Sequence, residues 1–295
     1  MSNWGHLNSF FINTKYEKKC PVCKQNVNNV FNLEGIEHIS FANCSSCKLS
    51  FINPRPNKKS LFRYYNNYLA NNRKADLELL EKRRVQYELD RKYLYKFLKN
   101  KYSILDVGCS TGEFISDLPF DLKRFGVEPD PFSVEALRKT NIKFIGQDLD
   151  KGISYLMENK IELDLITFRG VLEHTFNPIE TLNNANKVLS KNGKIILLMT
   201  PCSSAPAIKF FKDNWAMFNP VEHLWFFEEE TFEAMNIPLQ VERFDYPYLE
   251  TPYENLEQDI LSYAKIINEK NKIHTNRAPA FFQNTFNCVL RKKIY

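Results

Sequence analysis

The sequence predicts an α/β protein, a parallel sheet built from βαβ units, preceded by a small cysteine-bearing module and a helical arm. Three observations point there. From Ser103 onward short apolar segments alternate with helical ones, the pattern of strands joined by crossover helices. Near the N-terminus Cys20-x-x-Cys23 and Cys44-x-x-Cys47 form two knuckles. Between Asn57 and Ser103 there is no Gly or Pro, and Leu77, Leu80, Arg84, Tyr87, Arg91, Leu94 and Leu98 recur at three and four residues, a helical period.

Composition bounds the function classes. The chain has 295 residues, enough for one catalytic-size domain with a smaller attachment. Apolar residues at 43% and charged residues at 25%, with a mean hydropathy of -0.42, exclude disordered, collagenous and membrane-bundle classes. The longest purely apolar run, Ile195 to Met199, falls far short of the roughly 20 residues a bilayer helix needs. Met1 to Lys19 carries neither an apolar h-region nor a small-residue cleavage site, so a cytoplasmic chain is expected. There the seven cysteines stay reduced and read as ligands or buried thiols.

The net charge of +5 is unevenly spread, since residues 1 to 100 hold 18 Lys and Arg against 8 Asp and Glu. A basic front suits phosphate, nucleic acid or an acidic sugar, and suits equally a solvated helix face. Glu78, Glu81, Glu88 and Asp90 interleave with the basic residues, as on solvated helices. Only nine glycines occur, about half of what the average of about 7% would give, so each one present is expected to serve the backbone.

Element by element, strands are expected at Ile104–Val107, Arg124–Val127, Lys143–Ile145, Asp164–Phe168, Lys194–Met199, Leu239–Phe244 and Phe286–Arg291, seven in all. Helices fall at Glu113–Leu118, Phe132–Lys139, Ile153–Asn159, Ile179–Leu189 and Glu254–Glu269. The prolines of Asn53-Pro54-Arg55-Pro56 stop regular structure and mark a boundary. The organisation expected is therefore a cysteine module over 1–56, a helical linker over 57–100, and an α/β domain over 101–295 with a helical insertion at about 247–283. Tyr64, Tyr65 and Tyr68 open the helical arm and read as packing.

Twenty residues separate the two Cys-x-x-Cys pairs, which matches a four-cysteine zinc ribbon on Cys20, Cys23, Cys44 and Cys47. A closed thiolate shell has no open position for water, so this zinc is expected to be structural.

Ile104-Leu-Asp106-Val-Gly108-Cys109-Ser110-Thr111-Gly112-Glu113 runs from an apolar strand through small residues into a helix. Ligands bind at the carboxyl ends of such strands, where glycine lets the backbone approach. The spacing is not Gly-x-Gly-x-x-Gly and no Walker lysine follows, which disfavours pyrophosphate and triphosphate. Asp106 would sit badly beside a phosphate and well beside an ammonium group.

In these residues the sequence resembles a class I S-adenosylmethionine-dependent methyltransferase, a family that carries Asp/Glu-x-Gly-x-Gly-x-Gly in this loop; here Ser110 stands at the middle glycine. Gly126-Val-Glu128-Pro-Asp130, Gly146-Gln-Asp148-Leu149, Leu163 to His174 and Val188 to Gly193 resemble the following segments in order, over about Ser103 to Pro201. The resemblance implies a Rossmann-like seven-stranded sheet, ribose held by Glu128, and the adenine amino group accepted by Asp148. The expected cofactor contacts are Asp106, Gly108, Cys109, Gly112, Glu128, Asp148, Leu149 and Arg169. The cysteine pairs with Phe51-Ile-Asn-Pro54-Arg-Pro56, and later Glu222-His223-Leu-Trp-Phe-Phe227 and Pro279-Ala-Phe-Phe282, resemble zinc-ribbon methyltransferases of bacterial surface-polysaccharide and nucleotide-sugar pathways. Sugar C-methyltransferases of that kind carry a further C-terminal domain for which the chain, ending at Tyr295, has no length, which favours O-methylation.

A neutral hydroxyl acceptor must lose its proton as it attacks, and histidine has the pKa nearest working pH. Of five histidines, His6 and His38 lie in the front region and His274 in the insertion; His174 and His223 follow the fourth and fifth strands of the domain. These two are the candidate bases, with a backbone-bonded loop cap as the alternative for His174 and an aromatic core or pocket wall of Trp215, Trp225, Phe226 and Phe227 for His223. Glu173 orients a histidine or faces solvent. An anionic acceptor would need no base, and Arg169 would then be its partner. The expected function is O-methylation of a small acceptor, a sugar, nucleotide-sugar or related glycan precursor. An RNA base methyltransferase and a non-catalytic cofactor-binding scaffold are the alternatives.

Overall fold

The computed structural model describes residues 4–65, 77–215, 217–268 and 283–293. Tyr68, His274 and the run 279–282 lie outside them. Among the described residues no helix is long and apolar enough to cross a membrane.

Chain order begins with β1 (Asn28–Asn32), β2 (Ser40–Asn43) and β3 (Ser50–Asn53), then α1 (Lys58–Tyr65) and α2 (Leu77–Leu94). The α/β part follows as β4 (Ser103–Val107), α3 (Glu113–Ser116), β5 (Lys123–Val127), α4 (Pro131–Leu137), β6 (Ile142–Gly146) and α5 (Leu149–Glu158). It continues through β7 (Leu163–Arg169), α6 (Pro178–Val188), β8 (Leu189–Pro201), α7 (Pro206–Phe211), β9 (Trp225–Phe226), α8 (Glu229–Ala234), β10 (Leu239–Asp245), α9 (Leu256–Asn268) and β11 (Thr285–Lys292).

Seven of these strands form one sheet in the order β10-β11-β8-β7-β4-β5-β6. Neighbours from β8 to β6 pair in parallel, and β11 alone runs against the rest, antiparallel to both β8 and β10. β4 is buried along its whole length, and so are the apolar residues of β7 and of β8 from Ile195 to Leu198, because helices cover both faces of a parallel sheet. All seven strands expected from the sequence are present. β8 starts earlier than expected, at Leu189, and takes in the residues up to Gly193 that precede the expected strand. Helix starts are set by local chemistry: Asp130, Asp148 and Asn177 each accept a hydrogen bond from the first-turn backbone of α4, α5 and α6, a cap that contributes about 1 kcal/mol.

The second sheet has the order β1-β2-β3-β9. Its strands were not legible, being short and rich in Asn. Its last strand comes from residues 225–226, deep in the α/β part, where Trp225 pairs with Phe51 and Phe226 with Ser50. Phe41, Phe51 and Ile52 of the front module share one continuous core with Ile166, Phe168 and Leu197 of the large sheet. Arg55 clamps the junction: its guanidinium pairs with Glu17, lies 4.8 Å over the Trp225 ring and donates to Phe176 O.

Candidate active site

The strand order turns at β4, from which the chain winds outward in both directions. Ligands bind at such a switch point, beyond the carboxyl ends of the strands. Asp106 lies near the end of β4, Glu128 follows β5, and Arg169 ends β7.

The loop after β4 is shaped by its glycines. Gly108 and Gly112 have φ of +70° and +86°, and Ser110, at the family's middle glycine, keeps a left-handed φ of +47°. A Cβ on Gly108 would meet Val171 Cγ2 at 2.7 Å, which shows how closely this loop packs against the turn after β7. Glu128 pins the loop from the other side. Its Oε2 accepts from Ser110 N at 2.8 Å and its Oε1 from Asp130 N at 2.9 Å, so each oxygen has one lone pair left for a ligand. Burial pushes its carboxyl pKa up. Asp106, 2% exposed, accepts from Thr167 Oγ1 at 2.6 Å. Burial raises it to about 7 despite the opposing pull of Thr167 and Arg169. A buried carboxyl of this kind fits a cationic ligand group.

Other expected contacts have different surroundings. The Cys109 side chain is buried, with Sγ 2.6 Å from where a Gly126 Cβ would stand, so only its backbone faces the loop. Asp148 caps α5 by accepting from Lys151 N at 2.8 Å, and Leu149 is the first residue of that helix. Arg169 is not a free anion partner: its Nε donates to Asp90 Oδ2 at 2.7 Å, and its guanidinium lies 4.3 Å over the Tyr87 ring. Both partners come from α2, a contact the helical arm's charge pattern did not reveal.

The two histidines meet. Their ring centroids are 4.9 Å apart, which joins the turn after β7 (Leu172–His174) to the turn before β9. His174 Nδ1 lies 2.8 Å from Glu222 O and 2.9 Å from the Tyr65 hydroxyl. Tyr64 donates to the Glu222 carboxylate. His223 Nδ1 bonds Met217 O. Burial, with His223 alongside, lowers His174 to about 3, and burial lowers His223 as well, so both imidazoles are neutral at working pH. Tyr64 and Tyr65, expected to be packing, instead reach Glu222 and His174 from α1; Glu222 carried a signal only as the neighbour of His223. Trp215, Trp225, Phe226 and Phe227 are buried core.

In the front module Cys20 Sγ is 3.6 Å from Cys47 Sγ and Cys23 Sγ is 3.4 Å from Cys44 Sγ, with all four sulfurs within 4.8 Å of one another. A tetrahedral zinc with bonds near 2.3 Å sets sulfurs about 3.8 Å apart, so the cluster fits that ion. The Cys20–Cys47 hydrogen bond pulls the Cys20 thiol down and pushes Cys47 up.

The sheet and its glycine loop define a Rossmann-like class I methyltransferase fold. Residues 79–236 match the methyltransferase domain family, and the chain belongs to it; it is an S-adenosylmethionine-dependent methyltransferase. Among proteins of known sequence it is 29% identical over 111 residues to a tRNA U34 carboxymethyltransferase of Helicobacter hepaticus, covering 34% of this chain and 35% of that protein. It is 29% identical over 122 residues to the enzyme of that name from Sulfurimonas denitrificans, covering 38% of each. The chain thus spans little more than a third of the relatives it matches. Among solved structures, a Haloferax volcanii complex of the Trm112 methyltransferase activator with a methyltransferase aligns with TM-score 0.53 at 14% identity, over 78% of this chain and 98% of that one. Magnesium protoporphyrin IX methyltransferase from Synechocystis aligns with TM-score 0.51 at 11% identity, over 80% and 100%. At such identities the likeness is one of fold.

Proposed function

We propose that the chain O-methylates a small hydroxylated acceptor, a sugar or nucleotide-linked sugar precursor. The observation that carries this reading is the pair of neutral histidines, with Tyr64, Tyr65 and Glu222, beside the loop expected to hold the methyl donor. Hydroxyl, carboxylate and imidazole groups gathered in a partly buried place suit a polyhydroxylated molecule.

When bound, S-adenosylmethionine supplies a methyl group on a positively charged sulfur. Asp106 is assigned to its ammonium group, the free lone pairs of Glu128 to the ribose hydroxyls, Asp148 and Leu149 to the adenine end, and the backbone of Gly108, Cys109 and Gly112 to close approach. Arg169, fixed by Asp90, adds positive potential beside Asp106. His174 takes the acceptor proton, its tautomer set by the Glu222 carbonyl, and His223 is the second candidate. Four-cysteine zinc holds the module whose α1 supplies Tyr64 and Tyr65.

A second reading, methylation of RNA, is favoured by the relatives that act on tRNA and by the basic front. Transfer of labelled methyl to a panel of nucleotide sugars and to unmodified tRNA separates the two. Label is expected in the sugar fraction, with His174→Ala reducing turnover by roughly 10²–10⁴ while cofactor affinity persists. Label in tRNA alone defeats the sugar reading; near-native turnover in both His174→Ala and His223→Ala removes the base.

A further inference from the structure

Beside the glycine loop, three donor atoms converge that the zinc ribbon does not use. One ligand atom from each of Glu173, His174 and His223 lies within 4.8 Å of the other two, with His174 Nε2 at 3.8 Å from Glu173 Oε1. Backbone contacts decide which nitrogen of each ring is available. A carbonyl oxygen 2.8 Å from His174 Nδ1 requires a hydrogen between them, so Nδ1–H donates to Glu222 O, the Tyr65 oxygen sharing that hydrogen, and Nε2 keeps its lone pair. His223 Nδ1 makes the same kind of bond to Met217 O. Metal-ligating histidines are held in this way, their other N–H tied to a carbonyl that fixes tautomer and ring orientation.

Glu173 completes the set. It is 1% exposed, and its Oε2 has no hydrogen-bond partner. The nearby Arg169 is already paired with Asp90. A carboxylate oxygen buried without a donor is costly unless a proton or a cation meets it. One of its oxygens lies within 4.8 Å of a ring nitrogen of each imidazole.

We propose that Glu173, His174 and His223 form a second metal site, for a divalent first-row transition ion such as zinc. Two imidazoles and one carboxylate make an open catalytic set, with a fourth position left for an oxygen ligand, in contrast to the closed thiolate shell of the ribbon. Ligand bonds of 2.0–2.2 Å set neighbouring donors about 3.4 Å apart, so closing the site takes side-chain shifts and no refolding. With an ion bound, the lone pairs a histidine base would use are taken and the acceptor is activated by coordination; His174 is the base of the metal-free chain. The coordinated hydroxyl loses its proton to solvent, its oxygen forms the new C–O bond as the C–S bond breaks, and that electron pair stays on the sulfur. Only this consequence rests on the O-methylation reading; the site does not.

The test is a cobalt titration of the metal-stripped full chain. The first equivalent is expected to give the intense thiolate-to-cobalt band of the cysteine site, and a second equivalent only the weak visible bands of nitrogen and oxygen ligands. Glu173→Gln and, independently, His223→Ala are expected to lose the second equivalent while keeping the first and binding S-adenosylmethionine with unchanged affinity, which controls for folding. Saturation after one equivalent, or a second equivalent that survives both substitutions, overturns the site. Failure of the O-methylation reading would show elsewhere, as no transfer to sugar acceptors, and leave these titrations as they are.

Discussion

Glu128 shows how much one side chain can carry. It orders the glycine loop through Ser110 N and Asp130 N and still has acceptor capacity for a ligand. Glu128→Ala is expected to weaken S-adenosylmethionine binding by about 1.5–3 kcal/mol, the worth of charge-assisted hydrogen bonds; calorimetry giving wild-type affinity would remove the ribose assignment. Asp106 makes a pH-dependent prediction. Thr167 and Arg169 favour its charged form while burial and Glu128 oppose it, leaving it raised to about 7. Between about pH 4 and 7 the unfolded chain has lost this proton and the folded chain keeps it, so its contribution to the ligand-free stability falls as pH rises through that window and is flat above it. An ammonium group needs the carboxylate. S-adenosylmethionine affinity is therefore expected to drop as pH falls below about 7, with a proton released on binding, measurable by calorimetry in buffers of different ionisation enthalpy. Equal affinity at about pH 6 and about pH 8, on either side of that value, would contradict the ammonium assignment.

At the scale of elements, the zinc ribbon and β9 depend on each other. β3 pairs with β9, the Thr231 hydroxyl donates to Cys47 O at 2.8 Å, and α1 hands Tyr65 to His174. Metal binding contributes its energy to folding, so Cys44→Ser is expected to lose the zinc and unfold the front module. The residues assigned to the cofactor all sit on the large sheet and its loops. The variant should therefore still bind S-adenosylmethionine, while turnover is lost because Tyr64 and Tyr65 leave the site. Elemental analysis, calorimetry and an activity assay on the same sample check all three, and full turnover without metal would refute the coupling.

For the molecule as a whole, Trp225 is where the two sheets are joined. It is 1% exposed, donates from Nε1 to Thr175 O at 2.7 Å and lies under Arg55. Removing a buried indole costs about 3–5 kcal/mol. Because the core is continuous across both sheets, Trp225→Ala is expected to lower the unfolding midpoint of the zinc-loaded chain. An unchanged midpoint in calorimetry would mean that Trp225 does not couple ribbon to sheet.

Much of the fold and part of the site were legible along the chain. The seven strands of the large sheet announce themselves as apolar runs between turn residues, and the glycine loop, Glu128, Asp148 and the cysteine pairs each belong to one strand and the turn beside it. Period and spacing report such things directly, since they describe one element at a time. The ribbon strands were missed because short Asn-rich segments carry no period, and β9 because two residues cannot show one. The histidine cluster was only half visible. His174 and His223 could be proposed from their loops, but their meeting, and the arrival of Tyr65 and Glu222 from partners 109 and 48 residues away from His174, have no local signature. The tie between Arg169 and Asp90, 79 residues apart, is of the same kind. Those contacts are decided by the burial of one aromatic core between the ribbon and the sheet, a property of the packed whole that no window of sequence contains.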